Sequence, residues 1–380
     1  MAGATAAASE RRRSGGARLV VQAWLGTRLI FALVAVWLMM TTGRSFDDVV
    51  GNWDVQHFLE IAREGYVEPN DAAFFPGWPL LLRVVGLTGI PLTVVGCVLA
   101  LLCSGAAAAA LYRIAGTGPA IAWLLAPTAV FTAVPYTEAL FCAAAFWAWE
   151  RASARQWAQA ALLASVAASV RVSGVFLIGA LVILALTQRD VVGSVRQRWT
   201  PQWPARLEAL QWLLLPTAVV GAYVCFLYGR TGSWTAWLQA QTAGWAREFA
   251  TPWDSLRHTL DATAPGMFPA TPAAEWVFKA EIVSMAVGVA VTLYCLVRRR
   301  WAEAAWVGVQ VIAFSVSYWF MSVNRAVLLW FPLWILLGKL AEGRGSGPRV
   351  RYVGVGALVL AALLVQATWA YTFMTGDWSS

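Results

Sequence analysis

The chain has 380 residues, 59% of them hydrophobic and 13% charged, with 23 Trp and a formal net charge of +8. Soluble domains carry about 25% charged residues, so this composition excludes an ordinary water-soluble domain and needs lipid as its solvent. The positive charge sits in short loops between apolar runs, a pattern of cytoplasmic membrane anchors rather than of nucleic-acid binding.

Residues 1–17 are expected to be a disordered cytoplasmic tail, and residues 18–376 a single transmembrane domain. Arg11, Arg12 and Arg13 precede an apolar run that no small-residue cleavage site closes, so a retained first helix is predicted rather than a removed signal. A spanning helix takes roughly 17–25 residues, and the apolar runs at 18–41, 91–112, 119–133, 136–149, 157–170, 175–187, 210–228, 276–297, 304–321, 326–340 and 353–373 predict about eleven spans. The runs between 119 and 187 are short. Pro127, Pro135 and the Ser173-Gly174 pair interrupt them, and such breaks persist only where protein or a watery cavity satisfies the freed backbone groups.

With the N-terminus inside, basic residues such as Arg151, Arg155, Arg189, Arg196, Arg198, Arg298 to Arg300 and Arg344 fall on the cytoplasmic side, and the C-terminus is expected outside. All 28 basic residues except Lys279 and Lys339 are Arg, a bias expected of a GC-rich bacterial, in particular actinobacterial, genome. The five Cys lie in apolar runs without CxxC spacing, so neither a disulfide framework nor a metal site is expected.

Two predicted outer loops are long, about 42–90 and about 229–275. The first carries seven carboxylates against three Arg, and loops on rigid scaffolds tend to carry function. Within it, Val55, Phe58, Leu59 and Ala62 recur at helical spacing, predicting a short amphipathic helix from Asp54 to Glu64 at the membrane interface, ended by Gly65. Asp54 and His57 share a face of that helix.

The run Trp53-Asp54, His57-Phe58, Ile61-Ala62, Gly65-Tyr66 and Ala73-Phe-Phe-Pro-Gly-Trp-Pro79 resembles the PIG-V-like family of membrane mannosyltransferases and its bacterial homologues. The stretches from Ala126 to Phe131 and Tyr136 to Phe141 are similar to that family's next conserved segment. Arg171-Val-Ser-Gly174, and Asn324-Arg325 ahead of Trp330-Phe331-Pro332, resemble later ones. The similarity runs in order over about residues 50–335, and its first motif is the specific one. Arg171-Val172-Ser173-Gly174 departs from the family in lacking Asn, and the chain is shorter than the eukaryotic members, so their acceptor does not carry over.

The resemblance implies a GT-C-type glycosyltransferase fold. It implies an inverting enzyme that moves mannose from polyprenyl-phosphate-mannose on the extracytoplasmic face, with no metal or other cofactor. The acceptor would be a glycolipid, a lipoglycan or a protein. An attacking hydroxyl must lose a proton, and Asp54 is the expected general base. His57, Arg63, Arg171 and Arg325 are the expected partners of the donor phosphate, and Glu138, Trp53 and Tyr136 are placed beside them or at the acceptor.

Other roles are open to each of these residues. Asp54 or Asn52 could simply cap the helix, Asp47 or Asp48 could be the base, and His57 could pack against the membrane face. Glu138 could serve only to bond an Arg, and Arg171 or Arg28 could be a snorkelling anchor. Trp234, Trp237, Trp245 and Trp253 could line a sugar or lipid site or form an interface belt. The alternative function is a transporter or flippase of lipids or lipid-linked sugars. It is disfavoured because no repeated halves are visible and such a protein has less need of an acid-rich loop. An enzyme using cytosolic sugar nucleotides is disfavoured by the absence of an Asp-x-Asp motif or a phosphate-binding glycine loop.

Overall fold

The computed structural model describes residues 2–188, 203–341 and 348–379. Arg189, Arg196, Arg198 and Arg344 lie outside the described residues, as do the side chains of residues 2–13 and 348–353. Among the described residues the fold is all-α, with one isolated antiparallel bridge, between Phe249 and Ser317.

Helix α1 (Ala2–Thr42) begins ahead of the boundary expected near residue 18, through an Ala-rich stretch of high helix propensity. Its part from Ser14 to Thr42 is long and apolar enough to cross a bilayer. The first long loop then folds into α2 (Phe46–Val50), the amphipathic α3 (Asp54–Glu64) and α4 (Gly77–Gly86). A second spanning-length helix, α5 (Leu92–Ala115), leads to α6 (Thr117–Leu124), α7 (Glu138–Ser153), α8 (Trp157–Val170) and α9 (Ser173–Thr187). The long α10 (Trp203–Thr231) precedes the second long loop, which forms α11 (Ala236–Trp245) and α12 (Pro252–Asp261). Helices α13 (Ala274–Val297), α14 (Trp301–Ser315), α15 (Val323–Ala326), α16 (Phe331–Ala341) and α17 (Pro348–Thr375) complete the chain.

The expected eleven spans are not met. Five helices are long and apolar enough to cross a membrane, and six if the pair Val323–Leu329 and Phe331–Ala341, bent by 72°, counts as one. The 16 residues of α7 rise about 24 Å, short of a hydrocarbon core of about 30 Å, and α8, α9 and α14 are shorter still. Such helices pair buried faces with exposed apolar side chains such as Leu162, Val175 and Ile312, and composition does not separate packing against other helices from contact with lipid. The multiple apolar helices remain those of a polytopic membrane protein.

Two breaks fall at the expected prolines, and the third lies just ahead of the expected Ser173-Gly174 pair, which starts α9. Pro127 follows the end of α6, Pro135 precedes α7, and Arg171-Val172 separates α8 from α9. Side chains satisfy the carbonyls that the breaks expose. Gln366 donates to Leu124 O and Ala126 O (2.7 and 2.8 Å), Trp123 to Leu328 O (2.9 Å) and Trp306 to Leu329 O (3.0 Å). Arg28 is not a snorkelling anchor. It is buried and donates to Thr132 Oγ1 (2.8 Å), tying α1 to the broken segment.

Small residues let the helices approach closely. Ala160, Ala164 and Ala167 of α8 are fully buried between neighbouring helices. A Cβ on Gly77 would sit 2.7 Å from Ser169 O, and one on Gly338 2.2 Å from Pro119 N. The first contact fixes the start of α4 against α8, and the second fixes α16 against α6.

Candidate active site

A cavity of ≈ 780 Å³ opens between the first long loop, the α8–α9 break, the second long loop and the α14–α15 connection. Asp54, Arg171, Arg247, Ser322 and Arg325 supply polar groups to its wall, while Phe74, Phe176, Trp237, Leu238, Phe249 and Phe314 make much of the rest apolar.

Asp54 is the first residue of α3, and local structure dictates where it points. Asn52 does not cap α3: its amide donates to Val49 O (3.1 Å) and Phe373 O (3.0 Å), pinning the chain to α17. Trp53, the residue before the helix, has φ 57° and ψ −129° and makes no side-chain cap. A positive φ at a bulky residue costs on the order of 1–3 kcal/mol and needs outside support. Its indole supplies that support, donating to Asp377 O (3.0 Å) and meeting Trp378 edge-on at 5.1 Å. The backbone N–H of Asp54 donates to Tyr136 Oη (3.2 Å). The Asp54 carboxylate is therefore free of any capping duty, and Oδ2 accepts from Arg325 Nη1 at 2.8 Å.

Arg325 is equally constrained. It lies on the four-residue α15, behind Ser322 in the left-handed region (φ 68°). Glu281 of α13, 1% exposed, accepts the N–H groups of Ser322 (3.0 Å) and Asn324 (2.8 Å), holding that turn in place. The guanidinium also donates to Ser322 Oγ (3.1 Å) and lies over the rings of Tyr136 (5.1 Å) and Phe131 (5.5 Å).

A second acid–base pair backs the first. Arg171, extended between α8 and α9, donates to Thr137 Oγ1 (2.9 Å) and to the Glu138 carboxylate. Glu138 is fully buried, and its Oε1 also lies 3.7 Å from Arg325 Nε. Four charged side chains from α3, α7, the α8–α9 break and α15 thus form one alternating cluster. Asp54 is 18% exposed at the cavity wall, whereas Glu138 is sealed behind it, so only Asp54 can meet a ligand directly.

The other expected site residues fall elsewhere. His57 stacks on Phe74 (4.9 Å) with Trp245 edge-on (5.9 Å) and does not line the cavity. Arg63 is exposed in the last turn of α3, pointing away with the polar face that an amphipathic helix keeps in water. Asp48 closes a capping box with Ser45, whose hydroxyl holds its carboxyl below the ordinary value, and Asp47 accepts from Thr93. Trp237 and Trp245 line the cavity, whereas Trp234 and Trp253 are exposed outside it. Among the described residues no group of three or more His, Cys, Asp or Glu is placed to hold a metal ion.

Sequence reasoning missed Gln310 and Arg247. Gln310, on α14, lines the cavity with Oε1 buried and without a hydrogen-bond partner among the described residues. Arg247 follows α11 in a stretch that carries no motif, and its one signal was a charged Arg-Glu pair set among aromatics.

The family model described as Mannosyltransferase (PIG-V) matches residues 35–192, which takes in Asp54, Glu138 and Arg171 and stops short of Arg247 and Arg325. GPI alpha-1,6-mannosyltransferase 2 of Mus musculus is 36% identical over 150 residues, covering 34% of this chain and 30% of that protein. The protein of that name from Homo sapiens is 32% identical over 150 residues with the same shares. The chain thus matches less than a third of the length of these relatives. They are mammalian and lend no support to the expected bacterial origin. Among solved structures, ArnT from Cupriavidus metallidurans bound to undecaprenyl phosphate aligns with a TM-score of 0.48 and 15% identity, over 91% of this chain and 69% of that one.

Proposed function

We propose that this chain is an inverting GT-C-type glycosyltransferase that moves a mannosyl residue from polyprenyl-phosphate-mannose to a lipid-linked or protein acceptor on the extracytoplasmic face. The observation that carries the reading is Asp54 at the wall of a large, partly apolar cavity, oriented by Arg325 at 2.8 Å and backed by the Arg171–Glu138 pair. The match to a mannosyltransferase family over the segment that holds three of these four residues supports the sugar. The cluster of basic residues in the loops opposite supports the orientation, with the N-terminus in the cytoplasm.

In this mechanism an acceptor hydroxyl in the cavity gives its proton to Asp54 as its oxygen attacks C1 of the mannosyl group from the face opposite the phosphate. The C1–O bond to the phosphate breaks, the anomeric centre inverts, and polyprenyl phosphate leaves with the bonding electron pair. Arg325 holds the Asp54 carboxylate through Oδ2 at the cavity wall, and a base must be within hydrogen-bond reach of the proton it takes. The orphan Oε1 of Gln310 offers an acceptor for a sugar hydroxyl. The Phe176, Phe249 and Phe314 side chains give the isoprenoid tail an apolar path out of the polar end.

The test is transfer of label from radiolabelled polyprenyl-phosphate-mannose in membranes carrying the wild type or Asp54→Asn. Transfer by the wild type that is lost in the variant supports the reading. Undiminished transfer in the variant removes Asp54 as base, and substrate flux across vesicles without any transfer would replace the enzyme with a transporter.

A further inference from the structure

We infer that Arg247 is the cation that takes the donor's phosphate, a role the sequence had assigned to His57, Arg63, Arg171 and Arg325. This rests on the glycosyltransferase reading and adds to it the residue that recognises the phosphorylated end of the lipid. Three Arg line the cavity. Arg171 is engaged by Glu138, and Arg325 by Asp54 with Glu138 behind it. Among the described residues Arg247 has no carboxylate within ion-pair distance. Its Nη2 donates to Met321 O (3.2 Å), and its buried Nε has no hydrogen-bond partner. Glu248 also lines the cavity, but it is exposed and makes no ion pair with Arg247.

The position of Arg247 is built into the backbone. Helix α11 ends with Ala246 in the left-handed region (φ 49°, ψ 39°), and Arg247 N donates back to Gln241 O (3.4 Å). Two residues on, Phe249 bridges to Ser317 and Ala250 N donates to Val316 O (3.0 Å). The segment is therefore held at both ends, with the guanidinium stacked over Phe314 (5.8 Å). Burial pushes this guanidinium down to about 10, with Arg325 adding repulsion, so at neutral pH it is still charged. An anion between Arg247 and the cluster relieves that repulsion and satisfies the orphan Nε. A monophosphate ester supplies the charge and the acceptor oxygens. The adjoining Phe249, Phe314 and Leu238 then face whatever apolar chain the ester carries.

The experiment uses the full chain in lipid nanodiscs. It measures binding of a polyprenyl monophosphate, of the matching polyprenol and of inorganic phosphate to the wild type, Arg247→Gln and Arg247→Lys, alongside mannosyl transfer. The wild type is expected to bind the polyprenyl phosphate more tightly than the polyprenol. Arg247→Gln should weaken only the phosphate ester, by about ten- to hundredfold, and Arg247→Lys should recover most of the loss. Unchanged polyprenol binding in Arg247→Gln reports an intact fold. Polyprenyl phosphate bound equally by Arg247→Gln and wild type overturns the inference, as does inorganic phosphate bound as tightly as the ester. Wild-type transfer with an Arg247→Gln variant that binds and transfers normally leaves the transferase reading standing and sinks only this assignment. Arg247-dependent binding without any transfer does the reverse.

Discussion

The wall that the first long loop gives the cavity carries an acid held by an ion pair, whereas the wall from the second long loop is largely aromatic surface with one cation that, among the described residues, no carboxylate pairs. In the first, Trp53 donates to Asp377 O, the Asp54 N–H donates to Tyr136 Oη, and the Asp54 carboxylate closes an ion pair with Arg325. In the second, Leu238 and Phe249 present apolar surface, Trp237 is tied by its indole N–H to Ala73 O (3.1 Å), and among the described residues Arg247 keeps an unpartnered Nε. Chemistry needs groups fixed to fractions of an ångström, while holding a long apolar substrate needs area and a single charge. The two walls are divided along that line.

The division predicts that substitutions in the first wall act on turnover or folding and those in the second on substrate affinity. The largest effect is expected at Asp54: Asp54→Asn should lower turnover in the label-transfer assay by on the order of 10²–10⁴-fold at unchanged expression, since that is what a general base contributes. Equal loss of binding and turnover would break the comparison. Glu138→Ala removes the buried carboxylate that Arg171 and the buried Arg325 both face and should cost about 3–5 kcal/mol of stability, read as a lower melting temperature in detergent. Glu281→Gln replaces one of two accepting oxygens with a donor facing a buried N–H. It should cost about 1–3 kcal/mol, with turnover falling more than affinity. Trp237→Ala, in the second wall, should raise KM for the lipid donor about two- to tenfold and leave kcat nearly intact. Arg63→Ala, outside both walls, should change stability by less than about 0.5 kcal/mol and transfer not measurably.

Much of the first wall was legible because its residues carry local signals. Pro127 and Pro135 mark two breaks, Ser173-Gly174 follows directly on the third, and the apolar spacing of Val55, Phe58, Leu59 and Ala62 marks α3. Those signals, with the family resemblance, drew Asp54, Glu138, Arg171 and Arg325 into one site from four separate segments. His57 and Arg63 lie outside the cavity wall, because membership of the same short helix does not say which side chains turn inward. Arg247 was invisible for a conformational reason: the left-handed turn that aims it falls on Ala246 rather than on a glycine or asparagine that would have announced it. The span count was not recovered for a different reason, since α8 and α9 are apolar but shorter than a full span.

The grip of Glu281 on the two amides ahead of Arg325 gives α13 a say in the geometry of a reaction it does not touch. That helix is long enough to traverse the membrane, and a slip along its axis by a single residue, about 1.5 Å, would part both bonds and let the turn unwind. The reach of one guanidinium toward its aspartate is thereby indexed to how deeply a whole helix is seated in lipid.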